Sequence, residues 1–196
     1  MIKKVYIFVP IISILSLVIS FKFGIDTSGG TRIDFHNTWR FIYDLNSDLS
    51  ILYIKKIDFV HYPLHYPLHY LIISRFDFFV ENKEFFLNTF FLISLFLPVV
   101  FYKCLVLKFG NVEKKKLILL ASLIYLLPSY RSAAMWGNVH ITALFFLLFS
   151  FFFYLKWNKN NENSFNLNIL LQITFLALAS YTRQYYVILF PFFFLK

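Results

Sequence analysis

Phe85 to Leu107 reads FFLNTFFLISLFLPVVFYKCLVL, interrupted only by Asn88, Thr89, Pro98 and, near its end, Lys103. As a helix this run is long enough to cross a hydrocarbon layer of about 30 Å. Apolar side chains surround it on every side, where a soluble helix would show one apolar stripe. Such a stretch is read as a membrane span. Working outward, 5–23 is a second run, preceded by Lys3 and Lys4, and 117–130, 138–156 and 167–181 are three more. A further run, 185–195, starts a partial span. The first run is long for the core of a secretory signal, and no small-residue cleavage site follows it, so it is read as an uncleaved anchor.

The composition agrees. Hydrophobic residues make up 59% of the 196 residues and charged residues 15%, where soluble domains have about 45–50% and about 25%. Twenty-eight phenylalanines are too many for one small aqueous core. The lone Cys104 excludes an intrachain disulfide. The net charge of +9 comes largely from Lys3, Lys4, Lys108, Lys114, Lys115, Lys116, Lys156 and Lys159 in the segments that would share one side of the membrane. Lysines in short loops mark the cytoplasmic face, which places the N-terminus inside and makes nucleic acid an unsuitable partner. The expectation is an all-α, multi-pass membrane domain over 1–196, with about six transmembrane helices. It would reside in a plasma (inner) membrane or the endoplasmic reticulum, with 24–84 as a long outer loop.

That topology sorts the polar chemistry. Asp26, Asp34, Asp44, Asp48, Asp58, Asp77, Glu81 and Glu84 all fall in the outer loop, leaving only Glu113 and Glu162 inside. His36, His61, His65, His69 and His140 fall on or near the outer face. GIDTSGGT, 24–31, reads as flexible backbone leaving the first span. In IDFHNTWRFIYDL, 33–45, Phe35, Trp39, Ile42 and Tyr43 recur at amphipathic-helix spacing, suited to the membrane interface. Asp34 would stand at that helix's N-terminal end, where a cap is its structural role. His-Tyr-Pro-Leu repeats in tandem from His61, and a third His-Tyr follows. Histidines four apart suit a metal on a helix, but Pro63 and Pro67 disrupt one and no H-E-x-x-H glutamate accompanies them. The segment 61–76 is therefore expected to be extended and interfacial. Arg131, beside Ser132, Ala133 and Ala134, and Arg183, beside Gln184, each lie in a short outer turn. Ionisable groups at that depth are costly, and two arginines near an acidic loop suit a phosphate-bearing ligand; snorkelling to lipid phosphates is the structural alternative.

Three features resemble the polytopic glycosyltransferases of the GT-C class, which use lipid-phosphate-linked sugars. One span is followed by a long outer loop with an acidic motif, here Asp34-Phe35-His36. A proline-led turn runs into Trp136-Gly137-Asn138-Val139-His140 and a Phe/Leu-rich helix ending in Tyr154-Leu155-Lys156. Thr182-Arg183-Gln184 precedes an apolar run with a proline, Tyr185 to Leu195. The acid-x-His order, the proline-rich segment and the Arg-Gln pair are similar to those of the terminal alpha-1,2-glucosyltransferases of dolichol-linked oligosaccharide assembly. The class carries more spans than this chain, so the resemblance implies a fragment or an N-terminal half.

The resemblance implies transfer of a sugar from a polyprenyl-phosphate donor to an acceptor hydroxyl on a glycan, lipid or protein, with inversion. Asp34 is the expected base, with Asp26 and Asp58 as weaker candidates, and His36 would orient a substrate. Arg183 and Arg131 would hold the leaving phosphate, with Gln184 and His140 as hydrogen-bond donors. No cofactor or metal motif is present, while a divalent cation on the donor phosphate stays open. The rival reading is a non-enzymatic transporter or flippase component, or a structural membrane subunit. A transporter should carry ionisable groups at mid-span, whereas here they gather at the outer boundary.

Overall fold

The computed structural model describes residues 2–25, 31–48, 68–159 and 166–194. Those residues are helical, with no strand among them. Helix α1 spans Ile2–Phe23, α2 Thr31–Ser47, α3 Leu68–Ser74, α4 Asp77–Glu81 and α5 Lys83–Lys108. Then come α6 Lys114–Ser122, a 3-10 turn Leu123–Leu126, α7 Pro128–Met135 and α8 Val139–Lys159. Helix α9 spans Leu167–Thr182, and a second 3-10 turn, Gln184–Ile188, leads into α10, Leu189–Phe194. The tandem repeat at 61–67, Asp26, Asp58, Glu162 and most of GIDTSGGT lie outside the described residues.

Three helices are long and apolar enough to cross a membrane: Tyr6–Phe23 of α1, α5, and α8. Their outward faces carry large apolar side chains such as Ile7, Phe8, Ile12, Leu15, Leu92 and Phe96, all exposed. Lipid accepts those faces where water would not. Among the described residues, three helices, or four if the bent pair Lys114–Leu126 and Pro128–Met135 is one, could cross a membrane, which marks the chain as a membrane protein.

That pair replaces the single straight span expected over 117–130. Pro128 stands at the first position of α7, which suits its fixed φ, and it forces Leu127 into extended backbone (φ −70°, ψ 121°). The two halves meet at 64°. The run expected over 167–181 is helical, but α9 has 16 residues, about 24 Å of helix. That falls short of the hydrocarbon thickness. Beyond it the chain tightens into the 3-10 turn, so 185–195 is not one continuous helix either.

Pro98 sits inside α5 and withholds the N–H that the Ser94 carbonyl would otherwise accept. The Tyr130 hydroxyl donates to that carbonyl instead, and the Tyr125 hydroxyl donates to the neighbouring Leu95 carbonyl at 2.6 Å. Two tyrosines from the broken span thus seal the proline's gap. The main core joins α2, α3, α5, α7 and α8 through Phe35, Ile42, Leu45, Tyr70, Phe86, Phe90, Ala134 and Ile141. A smaller cluster joins α8, α9 and α10 through Leu147, Leu176 and Phe193.

Candidate functional site

The site is built around α2, whose sequence decides which residues it exposes. Phe35, Thr38, Phe41, Ile42 and Leu45 are buried, while Ile33, Asp34, His36 and Tyr43 are exposed. The expected face included Tyr43, which is 60% exposed; Phe41 and Leu45 take its place. Phe35 packs against Trp39, Phe86 and Trp136, with centroids 5.6–6.0 Å apart. The apolar face of this amphipathic helix is therefore spent on protein. Its far end is tied to the next helices: the Asn46 amide donates to the Ser74 carbonyl (2.8 Å) and to Asp77 (3.0 Å), and Arg75 donates to the Leu45 carbonyl (3.0 Å).

Asp34 lies in the first turn of α2 but is not its cap, because the helix begins at Thr31. On a helix, residues 34 and 38 share a face, while 34 and 36 diverge by about 200°. Asp34 thus projects with Thr38, and His36 projects elsewhere, so the acid and the histidine do not converge.

Beneath the Thr38 side lies α3. The sequence reading of 61–76 as extended fails for Leu68–Ser74, which is helical and places His69, Tyr70 and Ile73 in the core. The disruptive prolines precede Leu68, and nothing after them opposes a helix. His69 Nδ1 hydrogen-bonds Thr142 Oγ1 at 2.8 Å, which fastens α3 to α8. Burial pushes the Tyr70 phenol well above the ordinary tyrosine range, so it stays protonated. Three neighbours modulate that shift: the Arg183 charge lowers it, nearby Thr38 lowers it, and the Asp34 charge raises it. The phenol nevertheless has no hydrogen bond of normal geometry among the described residues, and the same holds for the buried indole N–H of Trp136. Such buried donors are uncommon, since nearly all find a partner.

Arg183 ends α9. Its backbone turns extended (φ −140°, ψ 107°), and its N–H closes on the Ala179 carbonyl at 2.8 Å. Its guanidinium meets the His140 ring, with Nε 3.1 Å and Nη2 2.8 Å from Nδ1, and Nη2 also approaches Nε2. An arginine has only donors to offer, so a ring nitrogen pairs with it only as an acceptor. The guanidinium also lies 5.4 Å from the Tyr185 ring centroid. A cation, a histidine and Tyr185 therefore share one corner, and the exposed Tyr185 hydroxyl is a potential donor to an anionic ligand.

The turn 136–138 sets His140 in that corner. Gly137 ends α7 with φ +54°, and the Asn138 N–H reaches back to the Ala133 carbonyl at 3.1 Å. A Cβ on Gly137 would meet Phe86 Cε1 at 2.6 Å. Asn138 Oδ1 then accepts the His140 N–H at 3.1 Å, capping α8. Trp-Gly-Asn is thus a helix stop followed by a helix start.

Of the expected site residues, the structure gathers Arg183 and His140 directly, while Asp34 is related to them only through the charge that it and Arg183 both exert on Tyr70. Gln184 is exposed at the start of the second 3-10 turn. Arg131 faces α1: Nη1 donates to Ser16 Oγ and to the Tyr125 carbonyl, and Nη2 donates to the Ser16 carbonyl, each at 3.2 Å. Tyr70, Thr38 and Tyr185 were not singled out by the sequence reading. Tyrosine is too common in this chain, with 13 copies, to stand out without burial data. Among the described residues, no three of His, Cys, Asp and Glu come together as metal ligands. No protein-family model, curated protein or solved structure matches the chain.

Proposed function

We propose that the chain is a GT-C-like glycosyltransferase acting on a polyprenyl-phosphate-linked sugar. In this reading it is a multi-pass protein of up to six membrane-embedded segments. Its lysine-rich helix ends and its N-terminus are cytoplasmic, and its site faces the other side of a plasma (inner) membrane or endoplasmic reticulum. The acceptor is a hydroxyl of a glycan, lipid or protein. The observation that carries the reading is the Arg183–His140 pair: a guanidinium held against an exposed imidazole beside the Tyr185 ring at the end of α9. A cation able to hold a phosphate and an exposed carboxylate able to take a proton suit a reaction that accepts a proton at one end and releases a phosphate at the other.

Asp34, exposed, removes the acceptor O–H proton as that oxygen attacks the anomeric carbon. The bond from that carbon to the phosphate oxygen breaks on the opposite face, and the lipid phosphate leaves with the electron pair. Arg183 stabilises the phosphate's charge, and His140 holds the guanidinium in place. Arg131 has no part in this chemistry, and His36 lies off the Asp34 face.

The test is transfer of labelled sugar from a polyprenyl-phosphate donor in membranes expressing wild type or Asp34→Asn. Transfer by wild type, lowered about 10²-fold or more in a variant that inserts normally, is the expected result. Equal transfer by both removes Asp34 as the base, and absence of transfer by wild type overturns the transferase reading. A transporter or flippase component is favoured by one residue, Gln172. It is 2% exposed within α9, and its amide nitrogen has no hydrogen-bond partner among the described residues. Substrate-dependent flux lost in Gln172→Leu, with no sugar transfer, decides for that reading.

A further inference from the structure

The lysine-rich end of the bundle holds a second feature, remote from Asp34 and Arg183. Between the last turns of α5 and α8 runs a groove of about 340 Å³, lined by Phe101, Leu105, Leu148, Phe151 and Leu155, with Lys108 among its walls. Lys108 is exposed and closes α5, where its charge also complements the helix C-terminus. Lys156 and Lys159 close α8 beside it, and Lys114, Lys115 and Lys116 open α6. On the other side of the α5–α8 seam, a smaller groove of about 220 Å³ is bordered by Lys103, and the Lys156 ammonium lies 4.9 Å from the Phe152 ring centroid. Glu113 is the described acid at this end, and it lies 3.9 Å from Lys115.

We infer that the α5–α8 groove binds an anionic phospholipid, with an acyl chain along Phe101, Leu105, Phe151 and Leu155 and the phosphate on Lys108. The lining has the chemistry of an acyl chain, and its neighbour Phe109 is itself exposed, as on a lipid-facing surface. The lysines choose the headgroup. A phosphate carrying net negative charge gains from each nearby cation, whereas a zwitterionic headgroup brings its own ammonium into the same field. Basic pockets between spans are suited to anionic lipid headgroups for this reason. This inference does not rest on the transferase reading.

The experiment titrates the full chain in detergent with phosphatidylglycerol or phosphatidylcholine of matched acyl chains and counts bound lipid by native mass spectrometry. Wild type is expected to hold phosphatidylglycerol with about fivefold greater affinity, the gain of one lysine near a headgroup. Lys108→Gln should bring that ratio close to one, Lys108→Arg should keep it, and Lys115→Gln, whose charge already faces Glu113, should change it least. Leu155→Trp fills the groove and should lower binding of both lipids. Equal affinity of wild type for the two lipids overturns the site. So does a Lys108→Gln effect no larger than that of Lys115→Gln, or unchanged lipid binding in Leu155→Trp. Lys108 and Lys115 are both exposed, so neither glutamine variant threatens the fold.

Discussion

Arg131 and Arg183 look alike in the sequence, each in a brief turn between apolar runs, yet the structure gives them opposite company. Arg131 directs its donors to the Ser16 carbonyl, the Ser16 hydroxyl and the Tyr125 carbonyl. All three belong to the scaffold, so this arginine ties the broken span to α1. Arg183 instead meets His140, Tyr185 and, through its charge, Tyr70. His140 and Tyr185 are exposed and can exchange partners with a ligand. A guanidinium tied to backbone carbonyls and a neighbouring hydroxyl is structural, whereas one held among side chains at a helix end is available for chemistry.

The sharpest way to break this contrast is Arg183→Gln. Under the proposed chemistry it removes a donor to the leaving phosphate, and transfer should fall by about 10²–10³-fold, or about 2.7–4 kcal/mol. Thermal unfolding in detergent should barely move, since α9 still closes through its backbone. Unchanged transfer would place Arg183 with Arg131 among the scaffold residues.

Next in size is Gly137→Ala, which strikes the joint between the two regions. The added methyl meets Phe86, and an L residue must adopt positive φ there. Left-handed strain of about 1–2 kcal/mol adds to the cost of overpacking, for an expected loss of about 2–4 kcal/mol in unfolding free energy. A variant as stable as wild type would mean that the turn can relax without its glycine. Arg131→Gln comes third. Losing hydrogen bonds made by a charged group costs about 1.5–3 kcal/mol. The unfolding temperature should drop, while transfer per folded molecule stays within a few-fold of wild type. A selective loss of activity there would restore Arg131 to the site.

How much of this was legible follows from how local each signal is. The three long spans needed only a window of apolar residues, and α5 and α8 lie within a few residues of their expected limits. The proline-led turn at Pro128 was readable, since a proline acts on the residue before it, but the helix Pro128–Met135 that follows it was not. The first turn of α2 was misplaced because Asp34 is a good cap, but Thr31 lies upstream and the helix starts there. Partners separated by long stretches of chain were out of reach. Nothing near Arg131 names Ser16, and nothing near Pro98 names Tyr130. His140 and Arg183 were chosen separately, and their contact across 43 residues came only with the α8–α9 packing.

The smallest effect should come from Tyr70→Phe, and it tests the Arg183 region most finely. Tyr70 is wholly buried, and its hydroxyl, beside Thr38, lacks a hydrogen bond of normal geometry among the described residues. Burying such a group costs about 1–3 kcal/mol when nothing satisfies it. Phenylalanine keeps the ring contact with Phe41, whose centroid is 5.2 Å away, and removes the costly atom. Stability should therefore hold or rise by up to about 1 kcal/mol, the gain being partly offset by repacking. If the phenol donates to a substrate oxygen between Asp34 and Arg183, the same variant should weaken donor or acceptor binding, seen as a raised KM. Higher stability with a raised KM is the signature of a polar group kept for a ligand. A clear fall in stability would show instead that the Tyr70 hydroxyl is satisfied within the folded chain, and it would then belong to the scaffold alongside Arg131.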